Sequence, residues 1–154
     1  MKLRTIVVTM ALCLIGTSLC FAQQGFMGTW KLNEAKSKLA PGMGKNSTVV
    51  YEASGDSVKV TIDGTDASGN PIHSEWTGKF DGKQYPVSGD PTSDTRSVLW
   101  RSQHHLGFTA KKGGKVTLSG TVALSPDGKR RTVTVISKDA QGKKVKSVAV
   151  YDKV

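Results

Sequence analysis

The stretch "SVKVTID", Ser57 to Asp63, alternates apolar and polar residues without interruption. Val58, Val60 and Ile62 would face one side and the residues between them the other, which is the period of a half-buried β-strand. The turn-forming triplet "SGD" precedes it and "DASGNP" follows it shortly after. Such residues mark chain reversals, so the pattern predicts a strand between two turns.

The same alternation recurs along most of the chain and defines ten candidate strands. They contain GTWKLN, STVVYEA, SVKVTID, IHSEWTGKF, KQYPV, TRSVLW, LGFTAKK, KVTLSGTVAL, RRTVTVIS and KVKSVAVYDKV. The connections are short, and Asp81-Gly82 is typical of a two-residue hairpin. The one helix candidate, Asn33 to Ala40, is too short to cross between parallel strands.

Ten strands in one open sheet would leave two unpaired edges, which closure removes. We therefore predict an all-β fold, an antiparallel up-and-down β-barrel of about ten strands with at most one short helix. A sandwich of two sheets built from the same hairpins is the structural alternative.

The N-terminus has the composition of a secretory signal peptide. Lys2 and Arg4 form a short positive region, Thr5 to Leu19 is mostly apolar, and small residues precede a cleavage site after Ala22. The predicted division is residues 1–22 for the signal peptide and residues 23–154 for the β-barrel domain. We expect a periplasmic or secreted protein with no stable membrane insertion after cleavage.

The cysteine positions and the charge distribution argue against thiol chemistry and against nucleic-acid binding. Cys13 and Cys20 both lie in the predicted signal peptide, so the mature chain would have no disulfide or thiolate. The chain has 22 Lys and Arg against 12 Asp and Glu, a formal net charge of +10. Because the basic residues are scattered and no nucleic-acid-binding motif accompanies them, we expect no nucleic-acid partner.

The two ends, "FMGTWKLN" from Phe26 and "VAVYDKV" from Val148, resemble the terminal strands of the calycins, and among them the fatty-acid-binding proteins. The opening also resembles small exported bacterial proteins of the lipocalin-like type. The resemblance implies a ten-stranded barrel in which Trp30 packs across one end and closes it, with Gly28 allowing close backbone approach. The interval between the first two strands is too short for the helix-turn-helix lid of the fatty-acid carriers.

The resemblance also implies where a ligand would be held. The fatty-acid carriers bind the carboxylate with an arginine two residues before the terminal tyrosine. Tyr151 corresponds to that tyrosine, and Ala149 occupies the position of the arginine. Arg96, Arg101 or Arg131 could substitute, and an arginine facing the interior would need an anion, because an unpaired buried charge is strongly unfavourable.

Aromatic residues spread over most strands are the other candidate ligand contacts. Inward aromatics either fill a barrel of this size or line a cavity. Small residues among the inward candidates, Ser74, Gly78 and Gly120, favour some open volume. The predicted ligand-binding residues are Tyr51, Trp76, Tyr85, Trp100, Arg101, Phe108 and Tyr151.

No catalytic or metal-binding pattern stands out. His104 and His105 are adjacent, so on a strand they would point to opposite faces, and the sequence contains no Gly-x-Ser-x-Gly motif. We therefore expect no metal, no cofactor and no enzymatic activity. The predicted function is that of an exported monomer binding a small apolar or lipid-like molecule. The alternative is a structural or interaction module whose basic exterior binds anionic envelope polymers or a protein partner.

Overall fold

The computed structural model describes residues 17–154, with side chains from Ala22 onward, so most of the predicted signal peptide lies outside the described residues. A short helix, α1 (Thr17–Phe26), precedes ten strands. These are β1 (Gly28–Leu32), β2 (Lys45–Ser54), β3 (Ser57–Thr65), β4 (Pro71–Gly78), β5 (Tyr85–Ser88), β6 (Thr95–Ser102), β7 (His105–Lys112), β8 (Lys115–Leu124), β9 (Arg130–Lys138) and β10 (Lys144–Lys153).

The ten strands form one closed antiparallel barrel in which each strand pairs with its neighbours in sequence and β1 pairs with β10. Trp30 on β1 lies opposite Lys153 on β10 and opposite Val49 on β2. The barrel prediction is thus confirmed, and the two-sheet alternative is wrong because the first and last strands meet and leave no open edge.

Alternation decides which residues face the interior. On β3, Val58, Val60 and Ile62 are all buried, at 1%, 5% and 6% exposure. The polar residues between them are intermediate or exposed. Because the period of a strand is two, the burial of these three residues identifies the face of β3 that points into the barrel.

The connection between β4 and β5 is longer than the sequence predicts. Asp81-Gly82 does not form a two-residue hairpin, because β4 has already ended at Gly78. Instead Asp81 forms a bridge with Leu99 on β6, and the Gly82 N–H donates to the Val98 carbonyl at 2.9 Å. The positive φ of Gly82, 81°, is used to turn the chain onto β6.

The helix also differs from the prediction. The segment from Asn33 to Ala40 contains only a 3-10 turn, Glu34–Lys36, in which the Lys36 N–H donates to Asn33 Oδ1 at 3.2 Å. The α-helix lies before β1 instead and ends at Phe26. Within residues 17–154, no helix has the length and apolar character required to cross a membrane.

Candidate ligand-binding cavity

The barrel interior contains a cavity of about 720 Å³. Most of its walls are apolar side chains from the inward faces of the strands. They include Val49, Val60, Ile62, Leu106, Val122 and Val133. The interior is therefore not filled by its own aromatic residues, which resolves the choice between a solid core and a cavity.

One end of the barrel, called the base below, is closed by Phe26 and Trp30. Both side chains are fully buried. The Trp30 indole Nε1–H donates to the Phe26 carbonyl at 2.9 Å, which ties the end of α1 to β1. Between them Gly28 adopts a φ of 108°, a conformation that a residue with a Cβ rarely takes. These two aromatic side chains close the barrel beneath the cavity, and the guanidinium carbon of Arg131, a lining residue, lies 5.2 Å from the Trp30 ring centre.

The opposite end, called the mouth, contains the segment between β1 and β2 and the turns that follow β7 and β9. Leu39 and Val116 lie there and are among the large apolar residues that remain exposed, at 36% and 58%. Both also line the cavity. The cavity is therefore open to solvent at this end.

Arg131 on β9 is the buried charged residue of the cavity, with 2% exposure. Its inward direction follows from strand alternation, because Arg131 shares the phase of Val133 and Val135, which also line the cavity. Its partners in register are Leu124 on β8 and Tyr151 on β10, at the base of the barrel.

Three aromatic rings surround the Arg131 guanidinium. Its central carbon lies 4.6 Å from the ring centre of Tyr151, 4.9 Å from that of Tyr51 and 5.2 Å from that of Trp30. Each distance is within the range of a cation–π interaction. The rings hold the cation in place without neutralising its charge.

The polar atoms of Arg131 are not satisfied. Its Nε and Nη1 are buried and have no hydrogen-bond partner. None of the ion pairs formed among the described residues includes Arg131. Buried donors are normally paired, and an unpaired buried charge carries a desolvation cost that cation–π contacts offset only in part. The base of the cavity therefore presents an uncompensated positive charge.

Tyr151 adds a polar group next to this charge. It is 4% exposed. Burial raises the pKa of Tyr151 to about 12, although the positive charge of Arg131 acts in the opposite direction. The phenol is therefore neutral at ordinary pH and its O–H is available as a donor.

Arg96 on β6 is a second arginine at the cavity wall, and its charge is compensated. Its Nη2 lies 3.1 Å from Asp90 Oδ2. Burial acts to raise the pKa of Asp90, but hydrogen bonds from Ser93 and Thr92 and the charge of Arg96 hold that pKa below its ordinary value. The pair is therefore ionised and neutral overall, unlike Arg131 at the base.

The predicted ligand contacts divide into two groups. Tyr51, Trp76, Phe108 and Tyr151 line the cavity. Trp100 is not part of the cavity wall, because it packs edge-on against Phe26 and Phe80 with ring centres 5.6 and 5.4 Å apart.

Tyr85 is likewise outside the cavity wall. Its ring packs edge-on against Trp76 at 6.0 Å, and its hydroxyl donates to Asp81 Oδ2 at 2.8 Å. Both Tyr85 and Trp100 follow the irregular connection after β4. Sequence alternation alone could not place them, since β5 is short and the chain around it departs from regular pairing.

The prediction that Arg101 contacts a ligand inside the barrel is wrong. Arg101 is exposed and lies on the outer surface of the barrel, in a shallow groove with Leu99 and Thr109. Adjacent strand residues point to opposite faces, so Arg101 faces outward while Val98 and Trp100 face inward. Arg131 is the arginine that reaches the base of the cavity. The inward direction of Arg131 could be inferred from the sequence, because Arg131 and Val133 are two residues apart on β9 and point to the same face.

Comparison with known proteins gives a structural likeness only. No protein-family model matches the chain, and no curated protein is similar to it in sequence. The chain is similar in structure to EF1p2_mFAP2b bound to DFHBI, with 13% identity over 86% of this chain and 97% of that chain at a TM-score of 0.48. It is also similar to a redesigned β-barrel, mFAP1, bound to DFHBI, with 16% identity, coverage of 86% and 98% and a TM-score of 0.43.

A third similar structure is a de novo designed fluorescence-activating β-barrel, with 13% identity, coverage of 86% and 97% and a TM-score of 0.42. These values describe a general likeness and assign no ligand to this chain. The closed ten-stranded barrel and its internal cavity, described above, define the class of protein.

Proposed function

We propose that the protein binds a small, largely apolar molecule inside its barrel. The observation that carries this proposal is the cavity of about 720 Å³, lined mostly by apolar side chains and closed at the base by Trp30. Ligand pockets in proteins commonly measure about 300–1,000 Å³. Removing apolar ligand surface from water contributes about 25 cal/mol per Å², less the entropic cost of association.

The proposal includes a location and a mode of action. The N-terminal pattern of Lys2, Arg4 and an apolar segment supports export, so the mature barrel would act in the periplasm or outside the cell. We propose a monomeric binding protein or carrier without catalytic activity, whose cavity residues would bind and orient a guest.

The test is a titration of the purified mature protein with a neutral lipophilic dye whose fluorescence rises in apolar surroundings. Ala149→Phe places a large ring in the cavity, since Ala149 lines it and is 7% exposed. Lys146→Phe on the same strand is the matched control, because Lys146 is exposed on the outer face. We expect saturable binding to the native protein and to the control, and a loss of binding in Ala149→Phe.

Equal dye binding by both variants would contradict an internal site. No saturable binding by the native protein, combined with salt-sensitive retention on an anionic glycan, would instead support an interaction module that acts through its basic surface.

A further inference from the structure

We infer that the ligand is an amphiphile with a singly charged anionic head, and that this head binds Arg131 at the base of the cavity. The inference rests on the proposed function and names the chemical class of the ligand. The apolar part of the molecule would then extend along the barrel toward the mouth. Arg131 does not stand where the fatty-acid carriers have their arginine, because Ala149 occupies that position in this chain.

The Arg131 side chain is charged, buried and without hydrogen-bond partners at two of its nitrogens. A guanidinium is always charged and presents five N–H donors, and it pairs preferentially with planar oxygen anions. Here two of its nitrogens are buried without a partner. The rings of Tyr51, Tyr151 and Trp30 fix its position, so little side-chain entropy remains to be lost on binding.

The number of charges at the base of the cavity limits the charge of the ligand head. Arg96 at the cavity wall is already paired with Asp90, so it contributes no net charge to the interior. The other charged residues of the cavity wall, Asp66, Lys112 and Lys138, lie at the mouth, and both lysines are exposed to solvent. At the base, Arg131 alone supplies one uncompensated positive charge. A head with one negative charge, such as a carboxylate or a sulfate ester, would balance it. A phosphate dianion would bury a second, unpaired charge, which is unfavourable in a cavity with mostly apolar walls.

The positions of the polar and apolar groups set the direction in which the ligand would lie. The donors at the base are Arg131 and the neutral phenol of Tyr151, whose pKa is raised by burial. The apolar wall, with residues such as Val133 and Val135, continues from there toward Leu39 at the mouth. Charge complementarity therefore orients the guest with its head inward and its apolar end outward.

The experiment compares dodecanoate with dodecanol, which has the same chain and a neutral head, by calorimetric titration at pH 7. Charge-assisted hydrogen bonds predict that the native protein binds dodecanoate about 10- to 100-fold more tightly than dodecanol. In Arg131→Met this preference should disappear while dodecanol affinity is retained. Arg101→Met is the matched control, since Arg101 is exposed outside the barrel, and it should keep the preference.

A second readout follows the head directly. With dodecanoate labelled at its carboxyl carbon, NMR should show a lower pKa for the bound carboxylic acid in the native protein than in Arg131→Met. Nuclear Overhauser contacts should connect its α-methylene to Tyr151 and its terminal methyl to Leu39. Arg131→Lys, which keeps a positive charge, should restore part of the preference and guards against misfolding of the methionine variant.

The outcomes separate the two proposals. If neither compound binds, the proposed function fails. If both bind equally to the native protein, or if Arg131→Met keeps the preference, the cavity binds ligands but the anionic head is refuted. Dodecyl sulfate binding as tightly as dodecanoate, and dodecyl phosphate binding more weakly, supports the single charge. If inorganic sulfate binds as tightly as dodecyl sulfate, the alkyl chain contributes nothing to binding, and the proposal of an amphiphilic ligand is refuted.

Discussion

Arg131 and Tyr151 occupy paired positions on β9 and β10, and the Arg131 guanidinium carbon lies 4.6 Å from the centre of the Tyr151 ring. The two residues place an unpaired positive charge and a phenol at a deeply buried end of the interior, where their exposures are 2% and 4%. This arrangement opposes folding of the empty protein, because a charge is desolvated there without a counter-ion. A stability cost retained at one position of a cavity is consistent with a binding role.

Replacement of Arg131 by methionine should therefore stabilise the ligand-free protein. Methionine has a similar length and removes the buried charge, while the loss of cation–π contacts acts in the opposite direction by about 2 kcal/mol. The desolvation cost of an unpaired ion is several kcal/mol, so we expect a net gain of about 1 kcal/mol or more. Urea denaturation measures the free energy of unfolding. A decrease of similar size would show that the charge is stabilised in the empty barrel.

Replacement of Trp30 should destabilise the protein, in contrast to replacement of Arg131. Trp30 is fully buried at the base and contributes a hydrogen bond from its Nε1 to the Phe26 carbonyl. Trp30→Ala should lower the free energy of unfolding by about 3–5 kcal/mol, the usual cost of truncating a buried aromatic residue. Trp30→Phe keeps most of the ring and loses the hydrogen bond, so it should cost about 1–2 kcal/mol. Near-zero loss in Trp30→Ala would contradict its role as the closing residue.

The strands were predictable from the sequence because each carries its own period-two pattern. All ten predicted segments form strands, and their short connections leave few alternatives to an up-and-down order. The passage after β4 was not predictable from Asp81-Gly82 alone. That turn signal is local, whereas the pairing of Asp81 with Leu99 depends on a strand that comes later in the chain.

The candidate site was predictable only in part. Around Arg101 both strand faces carry apolar residues, Val98 and Trp100 on one and Leu99 on the other, so alternation does not say which face is inward. On β9 the residues in phase with Arg131 include Val133 and Val135, and those out of phase include Thr132 and Thr134, a pattern that indicates an inward arginine. The unpaired state of that arginine depends on the contents of the whole cavity and cannot be read from one strand.

His73 on the outer face of β4 provides a test of surface electrostatics. Its Nδ1 lies 2.6 Å from Asp63 Oδ1, and its Nε2 lies 3.7 Å from Glu75 Oε1. The hydrogen bond and the negative charge of Asp63 raise the pKa of His73 above 6.5, with a smaller contribution from Glu75. The protonated form is favoured in the folded state, so this contribution to stability is present below about pH 6.5 and is lost as the pH rises through the raised value.

An NMR titration of the imidazole protons should give a pKa above 6.5 for His73, and Asp63→Asn should bring it down. The stability effect should be small because the side chains of His73 and Asp63 are 60% and 53% exposed. An unchanged His73 pKa in Asp63→Asn would show that the ion pair does not form in solution.

Tyr151 should make the fold sensitive to alkaline pH. Burial raises the pKa of Tyr151 from 10.0 to about 12 in the folded state, so the folded protein retains its phenol proton at a pH where the unfolded chain releases it. The stability from this group is complete below pH 10 and is lost as the pH rises toward 12. The difference corresponds to about 3 kcal/mol. In urea denaturation between pH 9 and 12, Tyr151→Phe should lose less stability than the native protein, and absorbance at 295 nm should show one fewer late-ionising tyrosine. A parallel pH dependence in both proteins would mean that the pKa of Tyr151 is the ordinary tyrosine value of 10.0 and that the base of the cavity is accessible to water.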